Sequence, residues 1–402
     1  MPQTQRIAPN LEFIKNLQAA GGDTVKRCYQ CATCSVACPI SPQDGPFPRK
    51  EMVWAQWGLK DKLLSDIDLW LCHRCGNCSD LCPRGAKPGD VLAAARTMVY
   101  RELVGPKIVG EWMSSPKHLP KLIAIPALLF AFIWMIMTGF GIPEGKIVYG
   151  KLFPGDYTID PIFTLAFAFV AYTFYKGVRK LFAEFDKGPK TVFIGPHQKV
   201  GWLQAAKEVV LEELVTHNKW KECGDAPADQ ARFKGHFYTF FAFIALAIVT
   251  SVIAVSHWGP VFLPFLHFLE PMGHTPLPLY NPVKLLANVG AVMLVIGMVA
   301  LTKRRLNLDK AKSASSYSDW FLLGVIWAVT VTGIGSQLLR WVNWASLAYF
   351  VYYLHLIAVF MLIAYLPWSK LGHLVYRTAA LVYTRVAGRL PMPAVADRTF
   401  HV

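Results

Sequence analysis

The sequence predicts an all-α chain in two parts: a small helical N-terminal domain over residues 1–118 and a six-helix transmembrane bundle over residues 119–402. Three observations carry this. A four-cysteine spacing occurs twice near the start, and long uncharged apolar runs begin only after residue 121. Hydrophobic residues make up 54% of the chain and charged ones 17%, yet the first part is mixed and polar. Such an average conceals a polar head joined to membrane-spanning segments.

Eight of the nine cysteines lie in two runs, Cys28-x2-Cys31-x2-Cys34-x3-Cys38-Pro39 and Cys72-x2-Cys75-x2-Cys78-x3-Cys82-Pro83, offset by 44 residues. This is the bacterial-type ligand pattern for a cubane 4Fe–4S cluster, in which the fourth Cys of each run serves the other cluster. The short gaps wrap three sulfurs around three irons, and the x3 step carries the fourth away. Cys28, Cys31, Cys34 and Cys82 are therefore assigned to one cluster, and Cys72, Cys75, Cys78 and Cys38 to the other. The head is read as a helical ferredoxin-like domain with two 4Fe–4S clusters. Zinc sites more often use two separated Cys-x2-Cys knuckles. Disulfides fit poorly with an N-terminus that lacks an apolar export segment, which leaves the head in the cytoplasm. Cys223 has no neighbouring Cys or His pattern and reads as a free thiol. No Gly-rich nucleotide fingerprint and no Ser/His/Asp constellation in motif context is present, so no catalytic residue is assigned.

Six segments are expected to span a membrane, at about 122–142, 161–181, 237–258, 283–302, 320–339 and 343–368. A helix needs about 20 apolar residues to cross the hydrocarbon core. The first, third, fifth and sixth meet that test without a charged residue. The second and fourth are shorter, with Lys176, Arg179 and Lys180 able to snorkel at one end and Lys284 and Lys303 flanking the other.

Charge orients the bundle. With the N-terminus inside, the inner loops and tail collect Lys176, Arg179, Lys180 and Lys187, then Lys303, Arg304 and Arg305, then Arg377 and Arg385. The outer loops offer Lys146 and Lys151 against Glu144, Asp156 and Asp160. This bias predicts a multi-pass protein of the cytoplasmic membrane with both termini in the cytoplasm. It also accounts for most of the net charge of +15. Cations that flank membrane segments form no contiguous patch, which argues against nucleic acid as a partner.

Residues 199–223 fit neither a span nor a simple loop. Val200, Leu203, Ala206, Val210 and Leu214 recur at helical spacing between Lys207, Glu208, Glu212 and Glu213. The segment reads as an amphipathic cytoplasmic helix on the membrane, on a partner, or on the surface of the bundle.

Histidines recur where haem ligation needs them. His236 and His257 sit at the two ends of the third span, His355 lies within the sixth, and His373 just beyond it. On a continuous helix His355 and His373 share a face about 27 Å apart, and His236 and His257 lie about 31 Å apart. The third and sixth spans run antiparallel, so His236 is expected to meet His373 near the cytoplasm and His257 to meet His355 toward the outside. These pairs are the candidate cofactor-binding ligands of one or two b-type haems. His267 or His274 in the outer loop are alternatives for one ligand. Lys284, Arg340, Asn288, Asn343, Tyr352 and Tyr353 are the polar groups available to a quinone, and none is assigned.

The two cysteine runs resemble the C subunit of heterodisulfide reductases over roughly residues 1–110. The six-span remainder resembles the b-haem membrane subunits of respiratory enzymes, including the nitrate reductase gamma type, whose last haem-bearing helix also carries two His 18 residues apart. On the earlier helix of that type the His are ten apart, against 21 here. The fusion of both modules resembles the C subunits of the quinone-interacting membrane-bound oxidoreductases (Qmo) of sulfate reducers and sulfur oxidisers. That resemblance implies two flavoprotein partners, the A and B subunits, and electron exchange between menaquinone and adenylylsulfate reductase, hence a role in sulfur metabolism. The chain is expected to be the electron-transfer component of a quinone-linked oxidoreductase, using haem b and two 4Fe–4S clusters. The alternative is a haem-free membrane anchor for an iron–sulfur head. A transporter is disfavoured, because the long spans show neither intramembrane charges nor inverted repeats.

Overall fold

The computed structural model describes residues 8–41, 46–188, 200–217, 227–273, 275–307 and 315–388. Among these residues every regular element is a helix or helical turn and no strand occurs. Cys223 and His274 lie outside them, as do the ends of the amphipathic segment at residues 199 and 218–223.

The head is built from α1 (Leu11–Leu17), α2 (Arg49–Gln56) and α3 (Pro88–Leu103), with four short helices between them, Thr33–Val36, Lys60–Leu64, Asp68–Leu71 and Asn77–Asp80. Asn10 starts α1 by accepting from the Phe13 amide at 2.8 Å. Pro88 occupies the first turn of α3, where its missing N–H costs nothing, and Asp90 complements the positive end of that helix. Leu17, Val25, Met52, Leu63 and Leu92 are fully or almost fully buried between these elements. Each such side chain is worth roughly 1.5–3 kcal/mol of transfer free energy, which lets a small domain with long loops hold together.

Six helices are long and apolar enough to cross a membrane: Pro116–Thr138, Gly155–Lys187, Ala231–Phe262, Pro282–Leu306, Tyr317–Trp341 and Ala345–Ala364. Their regular cores are α4 (Leu119–Thr138), α5 (Asp160–Lys187), α7 (Pro227–Phe262), α8 (Pro282–Leu306), α9 (Tyr317–Trp341) and α10 (Ala345–Ala364); α6 (Trp202–Glu208) lies between the second and third. No more than 33% of any apolar window is buried within the protein. Outward Leu128, Ile136, Leu165 and Val331 therefore face the surroundings, as lipid-solvated helices require. α7 packs chiefly on α8, α9 on α10, and α10 also on α4 and α5.

Two boundaries differ from the sequence expectation in ways that matter. The first span stops at Thr138 instead of 142, because Gly139 adopts a left-handed conformation (φ 58°) that caps the helix. The sixth stops at Ala364 instead of 368. Pro367 cannot donate a helical hydrogen bond, so two short turns follow, Leu366–Trp368 and Lys370–Gly372. His373 then opens a new helix, α11 (His373–Val386). His355 and His373 are thus on separate helices, and the spacing of five continuous turns does not apply.

The head seats on the bundle through an aromatic seam. Tyr376 of α11 stacks on Trp70 with ring centroids 5.8 Å apart and meets Tyr100 of α3 edge-on at 5.0 Å. Such pairs are worth about 0.5–1.5 kcal/mol beyond their buried area. Gly177 of α5 makes room for it: a Cβ there would meet Tyr376 Cζ at 2.8 Å. The amphipathic segment runs as α6 and continues in wider turns through Val215. It docks on α11, where Arg385 binds Glu208 at 2.6 Å, Glu212 at 3.0 Å and Glu213 at 3.1 Å. Of the settings open to it, the bundle surface is therefore occupied, with Trp202 against Phe182 at 5.3 Å, while Leu203 stays exposed.

Candidate metal centres

The two cysteine loops share one backbone signature. Gln30 (φ 61°) and Ala32 (φ 69°) in the first match Arg74 (φ 53°) and Gly76 (φ 99°) in the second, each followed by a one-turn helix. Left-handed residues at these points curl the chain so that successive sulfurs converge and amides turn inward, the concavity that suits an anionic cluster. Gln30 Nε2 donates to Cys28 Sγ at 3.3 Å, the Arg74 amide to Cys72 Sγ at 3.4 Å and the Ala86 amide to Cys82 Sγ at 3.3 Å. Hydrogen bonds to cluster sulfurs are one of the protein's levers on reduction potential.

The thiols group crosswise between the runs. Cys28 and Cys34 have both Cys31 and Cys82 as electrostatic neighbours, whereas Cys38 lies beside Cys72, Cys75 and Cys78. Cys38, Cys72, Cys75 and Cys78 line one cavity, closed by Phe47 and Leu92. Among the described residues no three of these sulfurs lie within 4.8 Å of one another. Burial, and then the neighbouring Cys28, push the Cys34 thiol up to about 11. Burial likewise raises Cys38 and Cys78. Thiolates here need a cationic core to be stable, which is the donor chemistry of an iron–sulfur site.

A second cavity, of about 300 Å3, lies between head and bundle. Cys72, His73 and Arg96 line it from the head, Arg232 and His236 from α7, and His373 and Arg377 from α11. Its volume is at the lower end of the range for small-molecule sites. Asp319 is held at its edge by Arg305 at 2.7 Å and Lys370 at 2.5 Å. His373 Nδ1 donates to the Lys370 carbonyl. A carbonyl only accepts, so the proton sits on Nδ1 and Nε2 keeps its lone pair. Burial lowers His373 to about 4, which keeps the ring neutral and ligand-competent.

The structure thus brings His236 and His373 to one cavity, next to Cys72. His257 and His355 are not joined in this way. His257 Nε2 pairs with Asp156 Oδ1 at 2.6 Å on the far end of the bundle, beside Trp258, which donates to Asp160 at 2.9 Å. His355 Nδ1 bonds Thr332 Oγ1 at 3.0 Å and lies against Gly333 of α9. The physical reason is packing: α7 lies on α8 and α10 on α4, α5 and α9, so the third and sixth spans are not principal neighbours. His267 pairs with Glu270 at 3.3 Å in the outer segment. Of the polar groups available to a quinone, Lys284 bonds Gln337 at 2.5 Å and Tyr353 donates to the Ala127 carbonyl at 2.9 Å. Arg340 and Asn343 line an outer cavity of about 400 Å3 with Lys146. Sequence reasoning missed His217, whose ring is buried against His236. It sits in a polar segment with no motif around it, and no local signal marks it.

Fold and centres define the class: a helical iron–sulfur head on a bundle of membrane-length helices. Residues 24–86 match the model of the 4Fe-4S dicluster domain. Over 111 residues the chain is 42% identical to the C subunit of the H(2):CoB-CoM heterodisulfide,ferredoxin reductase of Methanothermobacter marburgensis, covering 27% of this chain and 60% of that one. It is 36% identical over 91 residues to the C subunit of the ferredoxin:CoB-CoM heterodisulfide reductase of Methanosarcina mazei, 23% of this chain and 55% of the relative. A protein of Archaeoglobus profundus that is itself like the heterodisulfide reductase C subunit is 34% identical over 92 residues, 23% of this chain and 47% of its own length. The chain spans at most three-fifths of the length of these relatives. No solved structure matches. The N-terminal part is therefore a 4Fe–4S dicluster domain homologous to iron–sulfur subunits of heterodisulfide reductases.

Proposed function

We propose that this chain is the membrane subunit of a respiratory oxidoreductase, carrying electrons between menaquinol in the bilayer and a cytoplasmic flavoprotein partner. The observation that supports this most strongly is the one cavity lined by Cys72 of the head together with His236 and His373 of the bundle. Cys28, Cys31, Cys34 and Cys82 would hold one 4Fe–4S cluster, and Cys72, Cys75, Cys78 and Cys38 the other. His236 and His373 would be the axial ligands of one haem b. A haem and two clusters supply one-electron chemistry, which is what connects a two-electron quinol to a two-electron flavin. The residues' part is to keep both imidazoles neutral and to exclude water with Leu301, Leu322 and Ile326. Arg96, Arg232, Arg377 and Lys370 offer cations to acidic groups at the rim.

The resemblance to the Qmo C subunits makes the partners flavoproteins of the A and B type, with adenylylsulfate reductase downstream. The head and α11 share one end of the bundle, where Arg305 and Lys370 also lie. This supports a cytoplasmic head and cytoplasmic C-terminus in the inner membrane. We assign one haem, to His236 and His373, because those two line a common cavity, whereas His257 pairs with Asp156 at the far end and His355 packs on Thr332 of α9.

The test is a dithionite-reduced minus oxidised optical spectrum of the purified protein, with haem measured as pyridine haemochrome and iron and sulfide assayed alongside. One b-type haem per chain with two clusters supports the proposal. Two clusters with no haem reduce the bundle to an anchor.

A further inference from the structure

Two cations meet at the end of the bundle opposite the head. Lys146, in the loop between α4 and α5, and Arg340, in the last turn of α9, line one cavity of about 400 Å3 together with Asn343 of the turn that follows. Among the described residues neither cation has a carboxylate partner. Lys284 of α8, held on Gln337 at 2.5 Å, adds a third like charge beside Arg340. Like charges gathered at one cavity repel, and the half-buried Arg340 is shielded from part of the water that would screen them. The last-turn position lets Arg340 complement the carbonyl end of α9, whereas Lys146 stands on a loop with no helix end to serve.

We propose that this cavity binds the phosphate of an anionic phospholipid, with Lys146, Arg340 and Asn343 as its donors. The site stands apart from the cluster cysteines and from the cavity of His236 and His373, and it does not depend on the haem assignment.

The surroundings fix both the depth of the site and its ligand class. Trp341 lines the cavity, and Trp344 and Tyr280 stay exposed at the same end of the bundle. Exposed Trp and Tyr at the ends of apolar spans mark the headgroup level of a bilayer, which is where lipid phosphates lie. Leu279, also in the lining, and Val342 beside Trp341 are exposed and apolar, a surface for the first carbons of acyl chains. The loop that carries Lys146 is anchored. Tyr349 Oη donates to the Val148 carbonyl at 3.1 Å, Tyr149 Oη donates to the Ser336 carbonyl at 2.5 Å, and Ile147 is buried. Asn343 holds a left-handed backbone (φ 56°), which an asparagine tolerates and which turns the chain beside the cavity. Arg340 offers a planar fork that suits two phosphate oxygens, Lys146 a point charge, and Asn343 a neutral amide donor. A zwitterionic lipid brings its own ammonium to its phosphate, whereas phosphatidylglycerol leaves that charge for the protein to neutralise.

The experiment uses the full chain in detergent micelles and compares wild type with Lys146→Gln, Arg340→Gln and the double variant. Lys180→Gln, on α5 at the inner end, is the control. Native mass spectrometry measures the affinity for phosphatidylglycerol and phosphatidylcholine, with and without inorganic phosphate as competitor, and melting temperature checks the fold. Wild type should prefer phosphatidylglycerol, and each outer substitution should weaken that binding about five-fold, while the control leaves it unchanged. Lys146→Arg and Arg340→Lys keep the charge and should keep most of the affinity, which separates lost charge from a packing defect. Equal phosphatidylglycerol binding by wild type and the double variant overturns the proposal, and so does equal binding of the two lipids by wild type. Displacement of phosphatidylglycerol by inorganic phosphate assigns the cavity to a free anion and overturns the lipid assignment. A loss in Lys180→Gln as large as in the outer variants reduces the effect to overall charge and overturns the site.

Discussion

Arg232 of α7 donates to the carbonyls of His73 and Arg74, both at 2.7 Å, so the third span grips the loop that carries Cys72 and Cys75. On the other side Arg377 of α11 reaches His73 Nδ1 at 3.2 Å. The second cysteine loop is held by two membrane-proximal guanidinium groups and does not depend on the head alone.

Arg232→Ala removes two charge-assisted hydrogen bonds and leaves two partly buried carbonyls without them. Each such bond contributes roughly 1.5–3 kcal/mol. The expected outcome is a lower thermal midpoint and loss of iron from the second site in preference to the first. Iron, sulfide and melting temperature check this; Arg232→Lys, a single point donor, should fall between.

Crosswise ligation has its own signature. Cys28→Ser with Cys82→Ser should disable one cluster and spare the other, since both sulfurs serve the same core. Cys28→Ser with Cys38→Ser should disable both. EPR of the reduced proteins distinguishes the patterns, and in-line ligation by each run alone would reverse which substitutions travel together.

His236→Ala and His373→Ala should each abolish the b-type absorbance while cluster content is retained. His257→Ala should keep that absorbance and lose only the outer pair with Asp156, an exposed contact worth about 1 kcal/mol or less. A reduced-minus-oxidised spectrum of each variant decides the assignment.

The head also contains a buried charge cluster. Lys50 Nζ lies 2.9 Å from Glu51, 3.2 Å from Asp66 and 2.5 Å from Asp68. Burial, ahead of the opposing pull of Lys50, pushes Asp66 up to about 6, and Glu51 is raised as well. The folded state therefore holds these protons more tightly than the unfolded chain. Stability should rise as pH falls through about 6 toward the ordinary carboxyl range near 4, and decline again above it. Melting temperatures at pH 5 and pH 7.5 test this, with Asp66→Asn expected to flatten the dependence.

The dicluster head and the six membrane-length helices were legible because each obeys a local rule. Cluster geometry requires sulfurs at fixed short intervals, and bilayer thickness requires about 20 apolar residues wherever a helix crosses. Gly139 and Pro367 were legible as punctuation too, although their effect on the ends of the first and sixth spans emerged only with the chain folded.

The histidine geometry was not local. Residue counting places His355 and His373 on one helix, whereas the turns around Pro367 separate them. It also pairs the third span with the sixth, whereas α7 rests on α8. What the sequence determined by itself is the set of donors and the medium each segment prefers, since both depend on residue type and short spacing. Only the tertiary structure decided which imidazoles share a cavity, that His217 stands behind His236, and that Arg232 reaches the Cys72 loop. Those relationships join residues 19 to 159 positions apart, and helix packing, not periodicity, sets such contacts.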